Sequence, residues 1–288
     1  MDSKYPPGPY TGSTVHEYYA TRIGYEHPTR SGAPHTNTVM FIGELGDCVT
    51  SVTYLKPLAD ALDKSGWGVF EPHFFSSATS WGIGSQNFND IEEAVKYLTT
   101  KLEADGLPNK QKIVLLGHGE GCLDIMHYLT RGKRLANVNG AILQAQVSFT
   151  GNMSFYIDKI HRRGFELYNS TDKLENGSTY TNPAGVSQFH ALPGPRIDDD
   201  FLELEFCDSF LEEWFDNLDV PLLFLMSEEG GFLEDRDEKQ EILNRYESFV
   251  NGGYWSKLSA VVEGNSRNDT KKAINNLVKK MAGFIKGI

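Results

Sequence analysis

Short apolar runs alternate with stretches of helical periodicity along most of the chain. Six runs read as buried strands: residues 38–42, 68–72, 113–116, 141–145, 222–226 and 258–262. Between them, Val52, Leu55, Leu58 and Leu62 share one helical face. Ile91, Ala94, Val95, Leu98 and Leu102 share another, with Asn89 as the expected N-cap and Glu92 three residues on. A last helix is marked by Ile274, Leu277, Val278, Met281 and Ile285, starting near Asn268 or Asp269. This alternation predicts an α/β fold, a mostly parallel sheet flanked by helices, as a single domain over 14–288. Residues 1–13, rich in Pro and Gly, read as a flexible tail. The interval 148–219 breaks the rhythm. It is aromatic, carries the acidic run Asp198, Asp199 and Asp200 before Phe201, and has a length that is usually functional or disordered; read as functional, it is a lid or cap over the carboxyl ends of the strands.

Composition narrows the function classes. At 288 residues the chain suits one large domain, and 40% hydrophobic with 23% charged residues is ordinary for a globular protein. A formal net charge of -12 argues against a nucleic-acid partner, which needs a basic surface. No run approaches the roughly 20 apolar residues of a membrane span. The N-terminal residues lack the apolar centre of a secretory signal. Cys48, Cys122 and Cys207 are widely spaced and form no C-x-x-C pair, which suits a reducing cytosol and gives no metal-ligand pattern. The expectation is therefore a cytoplasmic protein without cofactor or metal. Its expected partner is a small organic molecule, with a homodimer as an option.

One motif carries most of the remaining information. The apolar run from Ile113 enters Gly117-His118-Gly119-Glu120-Gly121, and a helix-like stretch from Cys122 to Arg131 follows at once. A strand, G-x-S-x-G and a helix form the nucleophile elbow of α/β-hydrolases, in which the central serine attacks the substrate. Here the central residue is Gly119. Three further segments complete the pattern: Phe41 to Cys48 (FIGELGDC), Ser76 to Ser85 (SSATSWGIGS) and Gly140 to Ser148 (GAILQAQVS). With Val262-Glu263-Gly264-Asn265 they resemble a largely fungal group of α/β-hydrolases that includes esterases of the fusarinine siderophore type. The resemblance runs from about residue 38 to 285. It implies an α/β-hydrolase fold with a serine at the elbow, an acid after the strand at 222–226 and a histidine after the last strand. Those places hold Gly119, Gly230 (or Glu229 if the alignment slips) and Arg267.

A serine triad needs a nucleophile, a base and an orienting acid, and arginine, charged at any ordinary pH, cannot serve as the base. Four residues are candidates for chemistry. Glu44, where related chains tend to carry glycine, reads as a new acid or base, or as a solvent-facing loop residue. His118 reads as an acid–base group or as packing beneath the turn. Glu120 lies at a helix N-terminus, which stabilises a carboxylate. Arg267 is a cation facing the elbow, expected to pair with Glu44, Glu120, Glu229 or a ligand, or else to lie on the surface. Gly43, Leu45, Gly119, Ser77, Trp81, Ser148, Tyr156 and Phe201 are candidate substrate contacts. The leading expectation is a non-hydrolytic enzyme, a cyclase, isomerase or lyase, acting on a small molecule in fungal secondary metabolism. The alternatives are a non-catalytic ligand-binding or regulatory pseudoenzyme and a siderophore-type esterase working by an unconventional route.

Overall fold

The structure is a computed structural model that describes residues 11–19, 22–32, 35–44, 47, 51–74, 84–104, 111–131, 138–146, 208–230 and 235–288. These belong to one unit, Met1–Gln146 with Cys207–Ile288. In chain order the elements are β1 (Thr14–Tyr19), β2 (Arg22–Glu26), β3 (Asn37–Ile42), α1 (Leu55–Leu62), β4 (Trp67–Pro72), α2 (Gly84–Ala104), β5 (Ile113–His118) and α3 (Gly121–Arg131). There follow β6 (Val138–Gln144), α4 (Asp208–Asp216), β7 (Leu222–Ser227), α5 (Arg236–Phe249), β8 (Ala260–Val262) and α6 (Lys271–Ile285). Of the interval expected to form a lid, residues 148–207 lie outside the described residues. At its end, α4 packs Phe215 against Tyr246 of α5.

The eight strands form one sheet in the order β1-β2-β4-β3-β5-β6-β7-β8. β1–β2 and β2–β4 are antiparallel, and every pair from β4 to β8 is parallel. All six residues of β5 are buried, as are all six of β7. Parallel strands covered on both faces read as continuous apolar runs, which is why the sequence announces them. Alternate residues serve opposite faces. Val39, Phe41, Val114, Leu116, Leu223 and Leu225 meet Leu55 and Leu58 of α1 and Leu277 and Met281 of α6 in one buried cluster. Phe224, pointing the other way, stacks on Tyr246 of α5.

Besides α5, which was not foreseen, three features depart from the pattern expected above. β1 and β2 were not foreseen: their residues are mostly half-buried, and β1 mixes the polar Thr14, His16 and Glu17 with Val15, Tyr18 and Tyr19. Asn89 lies inside α2 and cannot cap it, because that helix begins at Gly84. α6 is capped by Thr270, whose side chain accepts the Ala273 N–H, so the capping residue is one beyond the positions expected.

Two close approaches fix the elbow. A Cβ on Gly117 would lie 2.8 Å from the backbone of Cys122, and one on Gly121 would lie 2.2 Å from the Ile42 carbonyl oxygen. Both obstacles are backbone, so the start of α3 sits against β5 and the end of β3 only because these residues lack side chains. Gly121→Ala is expected to cost about 3 kcal/mol or more, since relief requires the helix and strand to move apart; urea unfolding measures it.

The N-terminal hairpin is tied down electrostatically. Glu26 of β2 accepts from Lys101 of α2 at 2.7 Å, lies 2.9 Å from His16 of β1 and 3.7 Å from His35. Burial opposes its ionisation, but the bonds to His16 and Lys101 and the charges of His35 and Lys101 hold its carboxyl down at about 2. Its contribution to stability is thus complete above the ordinary glutamate range and is lost as pH falls towards 2. Glu26→Gln should lower urea stability at pH 7, by a margin that shrinks between pH 5 and pH 3.

Candidate functional site

Because β3, β5, β6, β7 and β8 run parallel, their carboxyl ends open on the same edge of the sheet, where ligands of such sheets bind. β5 ends in His118 and turns at Gly119, whose φ of 57° is the left-handed conformation of an elbow apex. The Gly119 N–H donates to the Gln144 carbonyl and the Cys122 N–H to the Gly119 carbonyl, each at 3.2 Å. The backbone of an elbow is therefore complete. Its side chain is absent.

Glu44 fills that space. The turn after β3 is held by a reciprocal pair: the Glu44 N–H donates to the Asp47 carboxylate and the Asp47 N–H to the Glu44 carbonyl, both at 2.9 Å. From there the Glu44 side chain reaches over the apex, so that a Cβ on Gly119 would lie 2.9 Å from Oε2 and 3.1 Å from Cδ. Burial and the neighbouring Asp47 carboxylate push the Glu44 carboxyl above its ordinary value, while Arg267 pulls it back.

His118 lies beneath the turn, fully buried. Its Nδ1 is 2.6 Å from Gln144 Oε1, which also accepts from the Tyr54 hydroxyl at 2.9 Å. Gln144 Nε2 donates to the Ser266 carbonyl at 3.0 Å, which fixes the amide's orientation. An amide carbonyl oxygen bears no hydrogen and can only accept, so Nδ1 carries the proton and, in the neutral ring, Nε2 an open lone pair. Burial holds the imidazole below its ordinary value against the opposing effects of Gln144 and Asp47, so the ring is neutral at pH 7. Nε2 faces Glu44 Oε2 at 3.8 Å.

Arg267 follows β8 and turns back over the strand ends. It donates to the Ser51 carbonyl at 2.7 Å and to Asp47 at 3.2 Å, and stands 3.8 Å from Glu44. Its principal carboxylate partner is thus Asp47, which was absent from the partners expected for it. The guanidinium side chain is 41% exposed, so it sits at the mouth of the site. Glu120 is half-buried, next to the apex and immediately before α3. Cys122 donates to the Gln144 carbonyl at 3.3 Å, and burial pushes its thiol far up, so it stays protonated and unreactive. In the loop after β7, Glu229 is exposed, and the buried Lys239 ammonium donates to the carbonyls of Ser227, Glu228 and Gly230 at 2.8–2.9 Å.

The structure therefore brings Gly43, Glu44, His118, Gly119 and Arg267 together, with Glu120 beside the apex. Leu45, Ser77, Trp81, Ser148, Tyr156 and Phe201 lie outside the described residues. Asp47, Gln144 and Tyr54 were missed as members of the site. A signal existed for Gln144, since a glutamine inside an apolar strand must find hydrogen bonds when buried. For Asp47 the signal was a short polar side chain in a glycine-flanked turn, where it bonds neighbouring backbone.

Comparison with known proteins places these observations. A UPF0613 protein of Schizosaccharomyces pombe is 27% identical over an alignment covering 94% of this chain and 97% of that protein. The fusarinine C esterase sidJ of Aspergillus fumigatus is 33% identical, over 51% of this chain and 47% of the esterase, so the chain spans about half of that relative's length. The structure of the siderophore hydrolase EstB from Aspergillus fumigatus superposes with a TM-score of 0.76 at 22% identity, covering 100% of this chain and 99% of that one. The fold is that of an α/β-hydrolase. Relatives named as esterases overturn the expectation of a non-hydrolytic cyclase, isomerase or lyase. The family model described as "Protein of unknown function (DUF1749)" matches residues 1–286, and the chain belongs to that family.

Proposed function

We propose that the protein is an ester hydrolase of the siderophore-esterase type that attacks its substrate with water, using Glu44 as the general base. The observation that carries this reading is the position of the Glu44 carboxylate, over Gly119 in the volume a serine side chain would take. A carboxylate pushed up by burial is a better base than a solvated one, and Glu44 carries it at the elbow apex, within reach of a water that attacks there. Arg267, 3.8 Å from Glu44, keeps a cation beside the reacting groups.

The step balances without a covalent intermediate. Glu44 takes a proton from water as the water oxygen bonds to the ester carbonyl carbon. The carbonyl π electrons move onto oxygen, and the resulting oxyanion lies towards the Glu120 N–H, the backbone donor this fold supplies just after the apex. Collapse re-forms the carbonyl, breaks the C–O bond to the alcohol, and returns the proton from Glu44 to the departing alkoxide. Acid and alcohol are released, and Glu44 is again a carboxylate.

Hydrolysis of fusarinine C and of p-nitrophenyl acetate, followed in the presence of a chelator, tests the reading. The wild type should exceed the buffer rate, and Glu44→Gln should lower kcat about 100-fold or more while melting normally. A serine-directed phosphonate should leave the intact mass unchanged. A wild-type rate equal to buffer, or a Glu44→Gln variant with undiminished kcat, would overturn the proposal.

Gly119→Ser is expected to lower the melting temperature and to yield no gain in turnover. The new side chain meets both the left-handed φ, a strain of about 1–3 kcal/mol, and the Glu44 carboxylate, and it displaces the proposed base.

A further inference from the structure

We infer that Glu44, Asp47 and His118 form a binding site for one divalent transition-metal ion of the zinc type, in competition with Arg267. The three side chains offer one oxygen each from Glu44 and Asp47 and one nitrogen from His118, all within 4.8 Å of one another. Two ligand atoms about 2.1 Å from a tetrahedral zinc ion stand roughly 3.4 Å apart. A small contraction of the present arrangement therefore closes it around an ion.

The independent observation is His118 Nε2. It is buried, and it has no hydrogen-bond partner. Its ring is fully enclosed, and the proton is committed to the other nitrogen by the bond to Gln144. An open lone pair therefore faces a carboxylate oxygen at 3.8 Å, too far for a hydrogen bond and with nothing attractive between two electron-rich atoms. A cation between them turns that repulsion into two bonds. The surroundings fit this use. Metal-binding imidazoles as a rule donate their second ring N–H to an oxygen that fixes their orientation, as Gln144 does here. Two carboxylates and a neutral imidazole also bring a charge of −2, which a divalent ion cancels. Imidazole among the ligands selects zinc-type ions over magnesium and calcium.

Arg267 is the present counter-charge of this group. Its guanidinium holds Asp47 at 3.2 Å and stands 3.8 Å from Glu44, but it is 41% exposed and can swing into water. Ion and guanidinium therefore exclude one another. With the ion bound, Glu44 is a ligand and is withdrawn from service as a base. The site itself does not rest on hydrolysis and is read by binding alone.

Zinc titration of chelator-treated full-length protein, against a chromophoric competitor and without ester, tests the inference. One equivalent should bind the wild type, and cobalt(II) should give the visible spectrum of a low-coordinate site. Arg267→Ala, at an exposed side chain, should bind zinc at least tenfold more tightly. His118→Gln and Glu44→Gln should each weaken binding at least 100-fold, and the half-exposed Glu44 keeps the test independent of packing around His118. Magnesium should not compete. Absence of one-equivalent binding in both wild type and Arg267→Ala, an unchanged affinity in Arg267→Ala, or binding that survives Glu44→Gln would each overturn the site. Because no substrate is present, none of these results bears on whether Glu44 activates water.

Discussion

The contact on which the rest of the site depends is between backbone and backbone. The first turn of α3 presses against the last carbonyl of β3, at a separation that admits no Cβ on Gly121. The same exclusion acts within β5, where Gly117 meets the backbone of Cys122. With both approaches closed, the end of β5, the start of α3 and the turn after β3 become one rigid corner. Glu44 lies over Gly119, carried there by the turn after β3 that the Asp47 carboxylate closes. The geometry that presents a nucleophile in an α/β-hydrolase is thus retained by sterics that do not depend on the nucleophile.

Around the corner, charge is arranged by solvation. His118 is kept neutral by burial, Glu44 is half-withdrawn from water, and Arg267 stays at the rim where its hydration is partly kept. Gln144 joins these parts, with its side chain bonding Tyr54, His118 and Ser266, three segments remote in sequence. The backbone is strained at the same place. Ala145, next to that glutamine, has φ 52°, and Asn268, next to Arg267, has φ 53°. A left-handed conformation costs an ordinary residue about 1–2 kcal/mol. Asparagine bears it more easily than alanine, so the conformation at 145 is the one imposed from outside, by the bond from its N–H to the Leu225 carbonyl and the packing of the strand ends.

The sequence revealed the fold where burial was two-sided. β3 to β8 were legible because each is an apolar run, and the elbow because sterics allow only glycine at 117 and 121. β1 and β2 were not, since half-exposed strands, β1 at the sheet edge and β2 beside it, mix polar and apolar residues without a clear period. α5 was missed for a similar reason: of its residues only Lys239, Ile242, Leu243 and Tyr246 are buried, a narrow stripe on a strongly charged helix. Within the site, Glu44, His118 and Arg267 stood out as unusual residues at known corners. Their partners did not. Asp47 and Arg267 are separated by 220 positions, Tyr54 and Gln144 by 90, and no local pattern encodes such pairs. The function inferred from the residues also erred in one direction, taking the missing serine as evidence against hydrolysis when the chain's relatives are named as esterases.

That shared volume has a consequence for how the site can be altered. Positions 44 and 119 cannot both carry a full side chain in the present backbone, so their substitutions form a coupled pair with large non-additivity. The order of change matters. A chain that shortens residue 44 first passes through an empty corner, with strain unchanged and room for a later side chain at 119. A chain that enlarges 119 first must displace the Glu44 carboxylate from its present place before anything is gained. The less obstructed route from a side chain at 44 to one at 119 therefore shortens residue 44 before it enlarges residue 119.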